Sequence, residues 1–260
     1  MLATRAAAEE PVEPTAPQSR YVLGMALTSA TEYAGSDRRV LKLQPLWAYQ
    51  YGRFRISTSR AGAVLGIGAD APGPGASAEL VKTARWRLGA ALRLDNGRRS
   101  SDSAILAGLP DVRRTLRGRV YASYALTENW GLGGSVAQDL LGRGGGTVGA
   151  LDIGYRQRLS ERTEWSAGMG LSFANAQHMR SYFGVTDGQA LLPDRPAFTP
   201  GAGLKDFHTG IGLTTALAPR WIAFASASAS TLLGDAAASP LTKTATSIGA
   251  SVGLAYRCCK

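Results

Sequence analysis

A strict period of two, written again and again along the chain, limits its fold more than any other feature. In one segment Trp165, Ala167, Met169, Leu171 and Phe173 alternate with Ser166, Gly168, Gly170, Ser172 and Ala174. The last segment repeats the pattern, with Ile248, Ala250, Val252, Leu254 and Tyr256 against Ser247, Gly249, Ser251, Gly253 and Ala255. Such alternation marks a β-strand, whose successive side chains leave opposite faces of the sheet. The small face holds Gly, Ala and Ser, where a water-facing surface would hold Lys, Glu and Thr. An apolar face backed by a crowded one suits a membrane barrel, with lipid outside and a narrow lumen within.

Turn residues and alternation together place strands near 21–28, 40–51, 53–59, 61–69, 80–94, 115–126, 130–141, 146–159, 164–174, 206–217, 220–232 and 244–257. The fold class is therefore all-β, an antiparallel transmembrane β-barrel of about 12 strands. No uncharged run reaches the roughly 18 residues of a membrane-spanning helix. Residues 1–19, rich in Ala, Pro and Glu and without a signal-peptide core, read as a disordered leader, and 20–260 as the barrel. Short turns at 51–53, 127–129, 160–163 and 218–220 alternate with long loops at 29–39, 95–114, 175–205 and 233–243. Short turns belong on the periplasmic side of such barrels, which puts both termini there and the long loops outside. The Pro/Gly-rich stretch 70–79 reads as a longer turn on the short-turn side. Tyr21, Tyr49, Tyr51, Phe54, Tyr124, Trp130, Tyr155, Trp165, Trp221 and Tyr256 share the apolar parity near the short-turn ends, as an interfacial girdle would.

Charge sits on the inward parity. Arg55, Arg85, Arg87, Arg93, Arg117, Arg119, Arg156 and Arg158 are the basic lumen candidates, with Asp95, Asp139 and Asp152 as counter-charges. Two outcomes stay open: a plugged interior of paired charges, or an anion-attracting passage. In loop 175–205, Tyr182, Phe183, Arg195 and Phe198 belong either to a lid over the lumen or to an exposed recognition surface. Asp102 is placed to cap a short helix over 103–109. The formal net charge of +10 points to anionic partners such as lipopolysaccharide phosphates, peptidoglycan or an acidic protein, while nucleic-acid motifs are lacking. His178 and His208 lie in no nucleophile motif, so no catalytic residue, cofactor or metal site is expected. Cys258 and Cys259 are adjacent and expected to be unpaired thiols. The small face makes Gly170→Ser an expected mild change.

The stretches 24–54, GLPDV (108–112), QDLLG (138–142), SYFGVTDGQA (181–190), GAGLKD (201–206), LLGDAAASPL (232–241) and GLAYR (253–257) resemble, in this order and spacing, the MipA/OmpV family of MltA-interacting outer-membrane proteins. Ala34 stands where members usually carry an acidic residue, and Cys258 where a terminal aromatic is usual. The resemblance implies a non-enzymatic outer-membrane barrel that brings a lytic transglycosylase and a penicillin-binding protein together, in contact with outer-membrane lipid and lipopolysaccharide. Docking of a murein hydrolase is then expected on the periplasmic side, through the leader and the 70–79 stretch. The alternative is a small-solute or anion channel, porin-like, on the same barrel; a hydrolase ranks third.

Overall fold

The computed structural model describes residues 19–58, 74–190 and 195–258. Twelve strands form one closed antiparallel barrel: β1 (Ser19–Thr31), β2 (Arg39–Tyr51), β3 (Phe54–Ser57), β4 (Gly75–Lys82), β5 (Trp86–Asp95), β6 (Thr115–Ala125), β7 (Trp130–Asp139), β8 (Thr147–Arg158), β9 (Thr163–Ala174), β10 (Gly203–Ala218), β11 (Trp221–Leu232) and β12 (Thr246–Cys258). Each strand pairs with its sequence neighbours, and β12 closes on β1 from Tyr21↔Cys258 to Ser29↔Ala250. Closure removes the unpaired edges that lipid cannot hydrate. No helix among the described residues is long and apolar enough to cross a membrane.

Large apolar side chains point outward, with Leu41 68%, Leu151 60%, Ile211 60% and Ile248 55% exposed. A belt of this size on all sides is lipid-facing surface, since soluble monomers expose only small apolar patches. At the short-turn ends the aromatic side chains meet across strands: Trp130 and Tyr155 at 5.0 Å, Tyr155 and Trp165 at 5.4 Å, Trp221 and Tyr256 at 5.5 Å between ring centres. Trp86, packed on Tyr124 at 4.7 Å, joins this girdle although the alternation pattern alone did not single it out.

The reason is a corrected boundary. The stretch 80–94 is two strands, β4 and β5, joined by a tight turn in which the Thr83 hydroxyl accepts the Trp86 N–H at 2.9 Å. A Thr-initiated turn needs no Gly or Pro, so the alternation runs through it without a break. The expected strand 61–69 lies outside the described residues, so the count of twelve agrees through a different division of the chain. The 70–79 stretch is also corrected. Residues 75–79 belong to β4, and the chain leaves β3 and enters β4 on the long-loop side, whereas the short turn is 83–85. Cys258 is disulfide-bonded, contrary to the expected free thiol; Cys259, the other cysteine of the chain, lies outside the described residues.

Inside, an apolar cluster and a set of ion pairs occupy different walls. Val22, Ala26, Leu46, Ala48, Ile222 and Ala255, with Phe224 against them, form a buried apolar cluster on the inner face of β1, β2, β11 and β12, and Thr28 and Ser251 bond to each other beside it. Gly253 makes room for this packing, because a Cβ there would lie 2.3 Å from the Phe224 ring. The opposite wall, β5 to β10, carries the ion pairs at the level of the long loops.

Candidate functional site

Between the charged wall and the long loops lies a basin of about 690 Å³, lined among others by Arg93, Arg117, Arg119, Asp152, Tyr182 and His208. Its fixed points are ion pairs built on strand register. Arg117 and Asp95 meet at 2.6 Å, and the same guanidinium donates to the Gly145 carbonyl at 2.7 Å and the Gly146 carbonyl at 3.3 Å. His208 lies between two carboxylates, Nε2 at 2.8 Å from Asp152 and Nδ1 at 3.0 Å from Asp206. A bulge between Leu204 and Asp206 breaks the alternation of β10. It lets consecutive Lys205 and Asp206 both reach the interior, where they pair with each other. Reading strict alternation misses such a pair.

The eight candidate arginines separate by depth. Arg55, Arg93, Arg117 and Arg119 line the interior, where Arg119 donates to the Ser135 hydroxyl at 3.0 Å. Arg87, Arg156 and Arg158 stand exposed at the short-turn mouth, with Arg156 3.3 Å from Glu164. Arg85 leaves the inward set: it lies in the turn between β4 and β5, with Nη1 3.4 Å from the Tyr124 hydroxyl. Of the three expected counter-charges, Asp95 pairs with Arg117 and Asp152 with His208. Asp139 instead organises the following turn, accepting the Thr115 hydroxyl and the N–H groups of Leu141, Arg143 and Gly145. Gly142, Gly144 and Gly146 in that turn have φ of 63°, 87° and 58°, which explains the glycine-rich sequence.

The long loops interlock above the basin. Helix α1 (Ala176–Phe183) turns His178 and Tyr182 toward it, stacked at 4.4 Å. The Tyr182 hydroxyl donates to Asp95 at 3.3 Å, and burial, reinforced by that carboxylate, pushes its pKa up to about 12. Phe183 is buried against Met179, Leu232 and Ala236, the last in helix α2 (Gly234–Ala238). Arg195, 1% exposed, donates to the carbonyls of Ile105, Ala107 and Gln189 at 2.7–2.9 Å. Phe198 pairs with Val185 as an isolated bridge. Leu106, Leu109, Val185 and Leu241 form a buried core with Tyr33 at its edge, so four separate loops share one cluster. Residues 103–109 are not a helix: two 3-10 turns occupy 100–102 and 104–106, and Asp102 accepts the Arg99 N–H at 2.9 Å, closing the first of them.

His178 gives this cap a pH dependence. Burial holds its pKa down to about 4, and Nδ1–H donates to the Gly145 carbonyl at 2.8 Å, so the ring is neutral in the closed cap. A base whose pKa is depressed on folding binds fewer protons when folded, so its contribution is complete above about 6.5 and disappears as pH falls toward 4. Cap stability is expected to drop by about 2 kcal/mol between pH 7 and pH 5. Hydrogen exchange of residues 176–190 at the two pH values checks this, and His178→Phe should abolish the difference.

Gly170 corrects another expectation. A Cβ at this position would lie 2.5 Å from Asp152 Oδ1, 2.5 Å from the Leu151 carbonyl and 2.7 Å from His208 Nε2. Even Gly170→Ala should therefore cost about 1–3 kcal/mol, since the backbone oxygen cannot swing away. Urea titration of the refolded protein measures it, and Gly170→Ser is expected to be no milder.

Both His208 nitrogens are engaged by carboxylates, and a general base needs a lone pair directed at a nucleophile's proton. Among the described residues no group of His, Cys, Asp and Glu has metal-site geometry.

An apolar belt, an aromatic girdle and a capped, ion-paired lumen define a transmembrane β-barrel of the outer-membrane type. The family described as MltA-interacting protein MipA matches residues 23–258, and the chain belongs to it. No curated protein matches the chain. Among solved structures, the NanC porin is similar with a TM-score of 0.43 at 8% identity, over 89% of this chain and 98% of that one. OmpT of Vibrio cholerae gives 0.42 at 9%, over 93% and 97%. An anion-selective porin from Comamonas acidovorans gives 0.40 at 10%, over 93% and 99%. Likenesses this remote carry no argument about function.

Proposed function

We propose that the chain is a non-enzymatic outer-membrane scaffold that tethers peptidoglycan-remodelling enzymes, a lytic transglycosylase together with a penicillin-binding protein. The interlocked cap is the observation that carries this reading. A solute path needs a continuous lumen, and here four loops share a buried core above the basin while a buried apolar cluster packs against the inner face of β1, β2, β11 and β12. Family membership supplies the class of partner. With short turns facing the periplasm, as in bacterial barrels generally, both termini and the turn end face the cell wall. The apolar belt then meets lipid, and the loop end meets lipopolysaccharide.

One observation favours a second reading, an anion passage. Below the basin, a void of about 60 Å³ is bordered by Arg55, Arg93, Arg119, Asp152 and Tyr121, so that Arg55 carries the cationic excess beyond the basin. Rings of one sign set selectivity in pores.

The test of the scaffold is capture. Full-length protein in lipid nanodiscs is immobilised and challenged with a purified MltA-type lytic transglycosylase, then with a bifunctional penicillin-binding protein. Retention of both in one complex is expected. Retention of neither contradicts the scaffold.

A further inference from the structure

The short-turn mouth carries a charge pattern that the lumen pairs do not absorb. At this level aromatic side chains take outward positions, and six strand cations take inward ones. Arg20, Lys82, Arg87, Arg156, Arg158 and Arg257 all occupy inward register: Arg257 pairs with buried Val22, Arg20 with Gln50, Arg87 with Ser123 and Arg158 with Glu164. Lys82 and Arg87 even stand directly opposite each other, a like-charge cross-strand pair that works against the fold. Of the inward carboxylates here, Glu79 lies 3.9 Å from Lys82 and Glu164 3.3 Å from Arg156. Arg53, Arg85, Arg162 and Arg220 add four cations from the turns, against Glu128 and Glu161. Ten cations face four carboxylates among the described residues, a net of +6 concentrated at one end.

Parity decides what such a ring can meet. Lipid headgroups lie outside the aromatic girdle, whereas these strand cations point toward the barrel axis. A ligand must approach along that axis, from below the mouth. We propose that this ring is the docking surface for an acidic polypeptide segment of the partner protein. The proposal rests on the scaffold reading and names the contact through which tethering occurs. Clustered charge of one sign steers an oppositely charged partner and sets its orientation, with a strong dependence on salt.

The test uses the full chain in nanodiscs of neutral lipid, with a fluorescein-labelled oligoglutamate peptide as probe. The variant R20Q/R87Q/R158Q/R257Q removes four ring cations and leaves the Lys82–Glu79 and Arg156–Glu164 pairs intact; heat-modifiable migration on gels verifies that it is folded. Wild type should bind the peptide, more weakly as salt shortens the Debye length to about 8 Å, and the variant should bind about tenfold more weakly or worse. Equal binding by both, or none by wild type, overturns the proposal. Loss of peptide binding when phosphatidylglycerol enters the nanodisc also overturns it, because the ring is then a lipid site. Transglycosylase capture separates the two readings. If wild type and variant capture the enzyme equally, the ring is not the docking surface and the scaffold stands. If neither captures it while only wild type binds peptide, the scaffold fails and the acidic-polypeptide surface remains.

Discussion

Leu151→Arg is expected to destabilise the refolded barrel by about 2–4 kcal/mol, the depth-dependent penalty for a charge on the lipid face near the bilayer midplane. Leu151 is 60% exposed, lies in mid-strand on β8 and has Leu171 opposite it on β9. In a water-soluble barrel the same substitution at so exposed a site would fall within about 0.5 kcal/mol of neutral. The sign and size of one number therefore separate lipid from water as the outer solvent. Refolding titrations into phospholipid vesicles measure it. Arg at Leu217, also 60% exposed but next to the β10–β11 turn, should cost markedly less, about 0–1 kcal/mol.

Arg195→Ala is expected to open the cap and leave the barrel standing. The side chain makes three hydrogen bonds to carbonyls on two different loops while almost fully buried. Truncation strands those acceptors, and each buried orphan costs on the order of 1–3 kcal/mol, less where water reaches the new gap. A loss of about 3 kcal/mol confined to the loops should raise hydrogen exchange and protease cleavage in 98–112, 183–190 and 195–200, with the strands unaffected. Arg195→Lys should rescue little, because an ammonium group cannot span the three carbonyls as the planar fork does.

The barrel was legible because lipid outside and small residues inside impose a two-residue period on nearly every strand. Where the period failed to report structure, a local device had hidden it. The Thr83 turn carries no Gly or Pro, so β4 and β5 read as one strand and Trp86 was not recognised as part of the girdle. The bulge at Lys205 places two neighbouring residues on one face, which alternation forbids. The charged lumen residues could be chosen by parity, but not their partners. Asp139 had backbone N–H groups within reach and went to the turn, while His208 took Asp152. The role of Gly145 was hidden for another reason: its carbonyl serves Arg117 from the wall and His178 from the cap, and backbone acceptors leave no mark in composition.

The most direct test of a capped barrel is ion conductance in planar lipid bilayers, with wild type and Arg195→Ala compared under identical insertion. Wild type is expected to insert without sustained current, and Arg195→Ala to show openings as the cap loosens. Steady, ohmic current from wild type, unchanged in Arg195→Ala, would contradict the account and make the barrel a channel.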